Sequence, residues 1–386
     1  MRLLRRLYRR ARPAVAVAVS RHSSDRILTR IEVLDGPRPG LTVYRYGSDE
    51  RYGFEPPRHV GALPDALRAK VGECTVPPPF LVEVADATVI GPTGIAVADG
   101  RVVLESTLGS YERLVDSSVR ALLAGQIPVE TRLQRPDDRY DDPVFSLVGP
   151  WATDYYHWLA AYLVQVFALE TFRDRTGDDP LVLVPAEAPS WLTESLPLAG
   201  IDPDQTIEWS GTRARCSRLV LGSARHHTAS TGDGYIHSPA ALSRLGRRIR
   251  MAVAGAESVG SRRLYVSRAD AVDRRVRNEP ELVEALRQYD FERFVPSEHT
   301  FAEQVRRFSD AEVVLGPHGA GLTNLIFTPS ATLVELFGSY HNACFFTLAQ
   351  GMGNEYACAT AQSVDMDLIV DVEVVTSLLE ELLADV

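Results

Sequence analysis

The strongest pattern in this chain is Val313-Val314-Leu315-Gly316-Pro317-His318-Gly319-Ala320-Gly321-Leu322-Thr323-Asn324. It begins as an apolar run of strand type, passes through a glycine-rich turn and continues as an apolar segment, Leu322 to Phe327. Such a turn lets backbone N–H groups approach an anion, and a helix that begins there points its positive end at a phosphate. The pattern predicts a nucleotide or nucleotide-sugar site. The alternative is a tight turn needed only for packing.

The same turn departs from the Rossmann dinucleotide fingerprint. That fingerprint requires a third glycine three residues after Gly321, where this chain has Asn324. An NAD-dependent dehydrogenase is therefore the weaker alternative.

Length and composition place the chain among globular proteins of ordinary make-up. Its 386 residues suit two domains, with 45% hydrophobic and 24% charged residues. The net charge is −10, and an acidic body argues against nucleic acid as a partner. The four cysteines form no CxxC pair, so we expect neither a disulfide framework nor a zinc site, and a reducing cytoplasm is the simplest setting.

Residues 1–30 form a basic N-terminal arm with nine arginines and one acid, Asp25. Leucines and Tyr8 recur at helical spacing over residues 2–12, which predicts a short amphipathic helix ended by Pro13. Such a helix lies on an anionic membrane surface, and the alternative is a solvated terminus. No apolar run reaches the length of a membrane span, so we expect a cytoplasmic protein that is soluble or peripheral on the membrane.

The remaining chain divides into two halves. A β-rich start with a hairpin turn at Asp99-Gly100 opens the N-terminal, acceptor-side domain, residues 31–245. Residues 255–365 alternate strands and helices, which predicts an α/β domain with a parallel sheet that binds the nucleotide-sugar. Residues 366–386 are expected to form a C-terminal helix that packs back on the N-terminal domain.

Two further clusters follow predicted strands of the C-terminal domain, where ligands bind in doubly wound sheets. Ser267-Arg268 is followed by Arg274, Arg275 and Asn278, and arginine suits phosphate because its planar fork donates two parallel bonds. The alternative is that these arginines form salt bridges with Asp270, Asp273 and Glu279. Glu335 ends the strand after the glycine turn and is placed to accept hydrogen bonds from ribose hydroxyls. The alternative is that it is only a surface residue.

A fourth cluster, Asp154-Tyr155-Tyr156-His157-Trp158, opens a helix in the N-terminal domain. Asp154 and His157 lie three residues apart, hence on one helical face. A carboxylate that orients an imidazole makes a general base near neutral pH. The alternatives are a helix cap at Asp154 and a core histidine at His157.

Taken together, these four clusters resemble glycosyltransferase family 61. The resemblance also includes Phe301-Ala302-Glu303-Gln304-Val305 and extends over roughly residues 150–360. It implies a GT-B fold, in which two Rossmann-like domains face each other across a cleft that holds the donor. It also implies inverting, metal-independent transfer, mainly from UDP sugars, with no cofactor and no bound metal.

The resemblance assigns site residues by position. Asp154 and His157 would be catalytic, with Asp154 the less certain because the family motif often begins with Asn. Donor-binding positions would be Ser267, Arg268, Arg274, Asn278, His318, Gly319, Ala320, Gly321, Asn324 and Glu335.

The predicted function is glycosyl transfer from a nucleotide-sugar to a hydroxyl of a glycan or lipid-linked glycan. The basic arm, residues 2–12, favours an acceptor at an anionic membrane surface. The alternative from another class is a catalytically inactive relative that binds glycan or nucleotide.

Overall fold

The computed structural model describes residues 2–123, 138–211, 213–224, 226–228, 235–254 and 262–384. It is a mixed α/β structure, which confirms the predicted class. The chain divides into two compact units. Unit 1 comprises Met1–Asp49, Pro78–Leu192 and Gly200–Arg225, and unit 2 comprises Glu50–Pro77, Thr193–Ala199 and His226–Val386.

Strands are numbered in chain order over the described residues. They are β1 Ile27–Leu28, β2 Leu41–Arg45, β3 Glu50–Phe54, β4 Arg58–Val60, β5 Gly72–Val76, β6 Phe80–Ile90, β7 Ile95–Ala98, β8 Arg101–Val103, β9 Asp138–Tyr140, β10 Val144–Ser146, β11 Leu181–Pro185, β12 Thr206–Trp209, β13 Arg213–Gly222, β14 His226–Thr228, β15 Tyr235–His237, β16 Arg262–Val266, β17 Phe291–Phe294, β18 Ala311–Pro317, β19 Thr332–Phe337, β20 Glu355–Thr360, β21 Gln362–Val364 and β22 Asp367–Ile369.

The α-helices of the same residues are α1 Arg2–His22, α2 Arg30–Leu34, α3 Asp65–Arg68, α4 Tyr111–Leu123, α5 Tyr155–His157, α6 Val166–Thr176, α7 Ser190–Ala199, α8 Pro239–Ala254, α9 Glu279–Leu286, α10 Phe301–Ser309, α11 Cys344–Gly351 and α12 Val372–Ala384. A π-helical turn, Trp158–Tyr162, and a 3₁₀ turn, Leu163–Gln165, join α5 to α6. The longest 3₁₀ helix is Ala320–Phe327.

Unit 1 is built on a mixed sheet of order β1-β8-β7-β6-β13-β10-β11-β12, with β2 beside β6 and β9 beside β13. Strands β6 and β13 pair antiparallel over their length, whereas β10, β11 and β12 run parallel. The predicted hairpin turn is confirmed between β7 and β8, where Asp99 and Gly100 have φ of 46° and 73°. Positive φ at both central residues suits the right-handed twist of the strands.

Unit 2 is built on a parallel sheet of order β17-β16-β18-β19-β20-β4. Its strands and helices alternate along the chain as predicted, because apolar strands are followed by helical segments with an apolar face. Thr300 and Glu303 form a capping box at the start of α10. Strand β16 lies between β17 and β18, so the order of the strands reverses there. Ligands of open parallel sheets bind at such a reversal, beyond the carboxyl ends of the strands.

Unit 2 includes a segment that the sequence analysis assigned to the N-terminal domain. Residues 50–77 were grouped with the N-terminal domain but lie in unit 2. The reason is long-range pairing, since β4 adds to the sheet beside β20 and Phe54 packs on Phe346 of α11 at 6.0 Å between ring centroids. Helix α8 also belongs to unit 2. Such contacts between distant segments leave no periodic signal in the sequence.

Both terminal helices differ from expectation. Helix α12 buries Leu378 and Leu379 in the core of unit 2 with Leu282 and Leu286 of α9, so its apolar face is used within its own unit. Helix α1 does not end at Pro13, as was predicted, but continues to His22. None of the helices among the described residues is long and apolar enough to cross a membrane.

Contacts with α4 account for the continuation of α1 through Pro13. Proline removes one helical hydrogen bond, but Arg12 forms ion pairs with Glu112 and Asp116 of α4, each at 2.9 Å. These tertiary contacts hold the helix beyond the proline.

Candidate functional site

The glycine turn lies where the strand order of unit 2 reverses. Strands β16 and β18 are parallel neighbours with Tyr265 opposite Leu315, so both chains leave the sheet at the same edge. Gly316 allows this close packing, since a Cβ atom there would lie 2.8 Å from the carbonyl oxygen of Val266. The predicted helix after the turn is present as the 3₁₀ helix Ala320–Phe327, with Gly319 at its N-cap.

Arg268 follows β16 and lies against the turn. A Cβ atom on Gly319 would overlap its guanidinium, so only glycine allows this approach. Burial and the charge of Arg274 lower the pKa of Arg268 to about 10. Among the described residues its side chain bonds only the carbonyl oxygen of Asp273, at 3.1 Å, and its buried Nε has no partner. Arg268 is therefore a cation with donors to spare.

Arg274 supplies a second positive charge at the same edge. Its guanidinium carbon lies 5.0 Å from the ring centroid of Tyr340, and its backbone has a φ of +63°. The Tyr340 ring in turn lies 5.3 Å from that of His318. Arg268, Arg274, Tyr340 and His318 thus form one cluster, here called the turn cluster. An anion bound there would offset the repulsion between the two arginines.

Neighbouring arginines follow the salt-bridge alternative instead, although with other acids than those expected. Arg275 pairs with Asp367 at 2.8 Å, and Arg277 pairs with Asp365 and Asp367 at 3.4 and 3.6 Å. This leaves Arg268 and Arg274 for the turn cluster.

Two predicted donor-binding residues are engaged in the fold. Ser267 donates to Glu279 at 2.6 Å and accepts from Arg293 at 3.1 Å. The amide group of Asn278 donates to the carbonyl and accepts from the N–H of Val370, at 2.8 and 2.9 Å. These bonds hold the loops on either side of α9, and ligand contacts by either side chain stay predictions.

Glu335 is neither a surface residue nor exposed to a ligand. Its side chain is fully buried in β19, opposite Gly316 of β18. One carboxylate oxygen accepts from Nδ1 of His318 and the other from the hydroxyl of Tyr356, at 2.6 Å for the latter. Direct acceptance from ribose hydroxyls is therefore wrong for this structure, because both oxygens are turned inward.

The rest of the glycine segment divides into half-buried and fully buried parts. Ala320 and Gly321 are half-buried, and a Cβ atom on Gly321 would lie 2.9 Å from Cγ of Pro296. Asn324 is fully buried and donates to Gln304 at 2.9 Å, so its amide ties the 3₁₀ helix to α10. Its position is that of a core residue.

His157 in unit 1 packs on an aromatic ring. The imidazole stacks on Trp151 with 4.9 Å between centroids and an interplanar angle of 29°, and Arg113 lies 5.3 Å from the same Trp151 ring. Burial and the charge of Arg113 lower the pKa of His157 to about 3. In the described part of the chain its buried Nδ1 has no hydrogen-bond partner. The imidazole is neutral near pH 7.

Asp154 does not orient this imidazole through Nδ1. It occupies the N-cap position of α5, but its side chain makes no capping bond to the helix backbone. Its exposed carboxylate stands one turn before His157, and a π-helical turn follows at Trp158–Tyr162. Such turns are rare and occur often at functional sites. Trp151 carries a φ of +65°, unusual for a bulky residue.

Four residues of these clusters were missed from the sequence: Arg113, Trp151, Tyr340 and Tyr356. Trp151 stands just before the helix that was singled out, and Tyr340 stands after the end of β19, where ligand-contacting residues are expected. Both positions carried a usable signal. Arg113 and Tyr356 reach their partners through tertiary packing and had none.

A cavity of about 470 Å³ opens beside the loop that carries Tyr340. It lies in unit 2 and is lined by Asp65, Lys70, His341, Asn342, Cys344 and Thr347, among others. The described residues contain no group of three or more His, Cys, Asp or Glu placed to hold a metal ion. Transfer without a metal stays a prediction.

Comparison with known proteins supports the resemblance. Residues 155–334, just under half of the chain, match the family model described as Glycosyltransferase 61. The matched range contains His157, Arg268 and the glycine turn, and it ends one residue before Glu335.

Relatives with an assigned activity match over a shorter range. An EGF domain-specific O-linked N-acetylglucosamine transferase of Gallus gallus is 34% identical over 89 residues, which is 22% of this chain and 17% of the relative. Those of Drosophila melanogaster and Mus musculus are 35% identical over 96 residues and 36% over 89 residues, covering 18% and 17% of the relatives. This chain thus matches under a fifth of these proteins.

Proposed function

Residues 155–334 belong to glycosyltransferase family 61, and from this premise we propose that the chain transfers a sugar from a nucleotide-sugar, a UDP sugar first, to an acceptor hydroxyl. The class of enzyme, a glycosyltransferase, is supported by the family match and by the relatives. Donor, stereochemistry and metal requirement are proposals.

One observation carries the proposal for the donor. Arg268 lies against Gly319 with Arg274 nearby, and neither arginine forms a salt bridge among the described residues. The charges of Asp270 and Asp273 only partly offset the lowering of the Arg268 pKa by burial and by Arg274. Guanidinium groups bind phosphate through paired, charge-assisted hydrogen bonds. A diphosphate at the strand-order reversal would supply the missing negative charge.

The same groups suit the chemistry of transfer. As the bond between the sugar and the diphosphate breaks, negative charge develops on the leaving phosphate oxygen. Two fixed guanidinium groups and the backbone N–H groups after Gly319 would stabilise that charge. Preorganised donors of this kind act mainly in the transition state. We propose that these groups take the place of a metal ion, with inversion at the anomeric carbon.

His157 is the proposed general base, and Asp154 the alternative. A pKa of about 3 makes the His157 imidazole a weak proton acceptor in the present state. An anionic ligand close to it would offset the charge of Arg113 and raise that pKa. The exposed carboxylate of Asp154 needs no such change. The rates of variants at His157 and Asp154 therefore distinguish the two.

The acceptor is proposed to be a glycan or lipid-linked glycan. N-acetylglucosamine, named for the relatives, is the first sugar to test. The GT-B arrangement of two domains around the donor stays a prediction.

The experiment measures UDP release from a set of UDP sugars with EDTA present, first without acceptor. Slow hydrolysis of one donor, accelerated by a glycan acceptor, is the expected result. Arg268→Ala should reduce release about a hundredfold, by analogy with the loss of one oxyanion donor. Arg287→Ala is the matched control, because Arg287 is exposed and, among the residues that the structure describes, forms an ion pair only with Glu284 of its own helical turn. Donor binding without any release would instead indicate an inactive binding relative.

A further inference from the structure

A chain of three buried side chains reaches the turn cluster from the core of unit 2. Tyr356 of β20 donates its hydroxyl to Glu335 of β19 at 2.6 Å, and Glu335 accepts from Nδ1 of His318. Tyr356 is 3% exposed, Glu335 0% and His318 6%. Since β18, β19 and β20 are parallel neighbours, the three residues cross the sheet towards its carboxyl edge.

Burial and the charge of Glu335 raise the pKa of Tyr356 well above its ordinary value. Tyr356 therefore remains a hydroxyl and can only donate to the carboxylate. With both carboxylate oxygens in use, Glu335 has no free oxygen for a ligand. Its function at the site must act through His318.

Glu335 determines which imidazole nitrogen is offered to a ligand. Because Nδ1 donates to the carboxylate, the other nitrogen, Nε2, has no bonding partner in the described part of the chain. The imidazole is held in place by the rings of Phe337, Tyr340 and Phe345, at 5.7, 5.3 and 5.2 Å. A diphosphate has acceptor oxygens only, so Nε2 must carry a proton to bind it.

We propose that Tyr356 and Glu335 are positioning residues that present Nε2 of His318 to the diphosphate of the donor, and that donor binding adds one proton to the His318–Glu335 pair. The inference rests on the proposed function and identifies the part of the donor that this site holds. The proton comes from solvent, and no covalent bond forms or breaks.

Several titratable or charged groups surround the pair: Tyr356 and Cys358 on β20, Arg268 and Arg274 after β16, Tyr340 and His341 after β19, and Cys344 at the start of α11. Burial raises the pKa of Cys358 to about 12, and the pKa of Arg268 stays at about 10. Neither changes charge near neutral pH. Neither group therefore adds a step to a pH profile near neutral pH.

The test is the affinity of UDP as a function of pH, measured by calorimetry on the full chain. In the wild type, affinity should decline above the pH at which the pair loses its proton. Glu335→Gln removes the carboxylate that attracts this proton, so the decline should move to lower pH. Tyr356→Phe removes a donor that competes for the carboxylate, so the pair holds its proton more tightly and the decline should move to higher pH.

Opposite shifts separate this role from a purely structural one, which would weaken binding equally at every pH. Titration of UDP itself is common to all variants and cancels in the comparison. Tyr289→Phe is the control, because the hydroxyl of Tyr289 donates to Glu380 at 2.7 Å on the exterior of unit 2. It should leave the profile unchanged.

Each result bears on one of the two proposals. Wild-type protein that does not bind UDP at any pH would overturn the proposed function and this inference with it. Wild-type binding with unmoved midpoints in Glu335→Gln and Tyr356→Phe would overturn only the inference. If Glu335→Gln does not fold, the upward shift in Tyr356→Phe decides alone, because phenylalanine keeps the ring packing against Phe346.

Discussion

Gly319 and Arg268 are fitted to each other: a Cβ atom on Gly319 would overlap Nη1 of Arg268. The φ of Gly319 is −177°, an extended conformation open to any residue, so space and not backbone conformation requires glycine. The glycine of the turn therefore fixes the place of an arginine that leaves another strand. This relationship brings together two residues 51 positions apart in the sequence, at the place where we propose an anion site.

We expect Gly319→Ala to displace Arg268 and to weaken UDP binding about tenfold or more, as for the loss of a hydrogen bond to a charged group. Gly53→Ala is the matched control, because a Cβ atom on Gly53 meets no atom within 4 Å. Calorimetric titration with UDP measures the effect. Equal UDP affinity in Gly319→Ala and Gly53→Ala would show that the close approach of Gly319 to Arg268 does not matter for binding.

If His157 is the general base, its replacement should lower the rate of transfer and leave UDP binding intact. His157→Gln should lower kcat about a hundredfold or more without weakening UDP binding, since general bases contribute about 10²–10⁴. Asp154→Asn should lower kcat less. Single-turnover rates with a saturating UDP sugar check this. A larger loss in Asp154→Asn would move the role of base to Asp154.

The environment of His157 also predicts a dependence of stability on pH. Its pKa falls from 6.5 to about 3 on folding, so between these values the unfolded chain binds more protons than the folded one. Stability should therefore fall as pH falls below 6.5, by on the order of 2 kcal/mol at about pH 5.

Urea unfolding at about pH 7.5 and about pH 5, compared between variants, measures this contribution. His157→Phe keeps a ring on Trp151 and should lose less stability over that interval than the wild type. His59→Gln, at an exposed histidine, should behave as the wild type does. Identical losses in the wild type and His157→Phe would show that burial does not hold His157 neutral.

The basic arm predicts binding to anionic vesicles. Replacing Arg5, Arg6, Arg9 and Arg10 by glutamine should release the protein from vesicles rich in anionic lipid, because each basic residue contributes about 1 kcal/mol near such a surface. Arg12 is kept, since it pairs with Glu112 and Asp116. Vesicles of neutral lipid serve as the control. Cosedimentation equal to that of the wild type would contradict attachment to the membrane through the basic arm.

Much of unit 2 could be predicted from the sequence, because its signals are local. The alternation of strands and helices over residues 255–365 predicted the parallel sheet that unit 2 contains. Ser267-Arg268 and the glycine turn were expected at the ends of strands, and the parallel pairing of β16 and β18 makes those two strand ends neighbours.

The remainder depends on contacts between distant residues. Glu335 was predicted to meet a ligand directly, yet Tyr356 and His318 turn it inward. Helix α1 was predicted to end at Pro13, yet packing on α4 carries it further. Tertiary packing decides which side chains become hydrogen-bond or ion-pair partners. Neither the spacing of residues nor the composition of the sequence reveals this packing.

The central claim is an anion site at the glycine turn, built around Arg268. The most direct test is thermal stabilisation of wild type and Arg268→Ala by UDP, GDP, CDP, TDP and NAD with EDTA present, since a ligand bound only by the native state raises the melting temperature. The account predicts a selective rise with UDP in the wild type that Arg268→Ala loses and Arg287→Ala keeps. Stabilisation by NAD alone, or by UDP equally in Arg268→Ala, would contradict it.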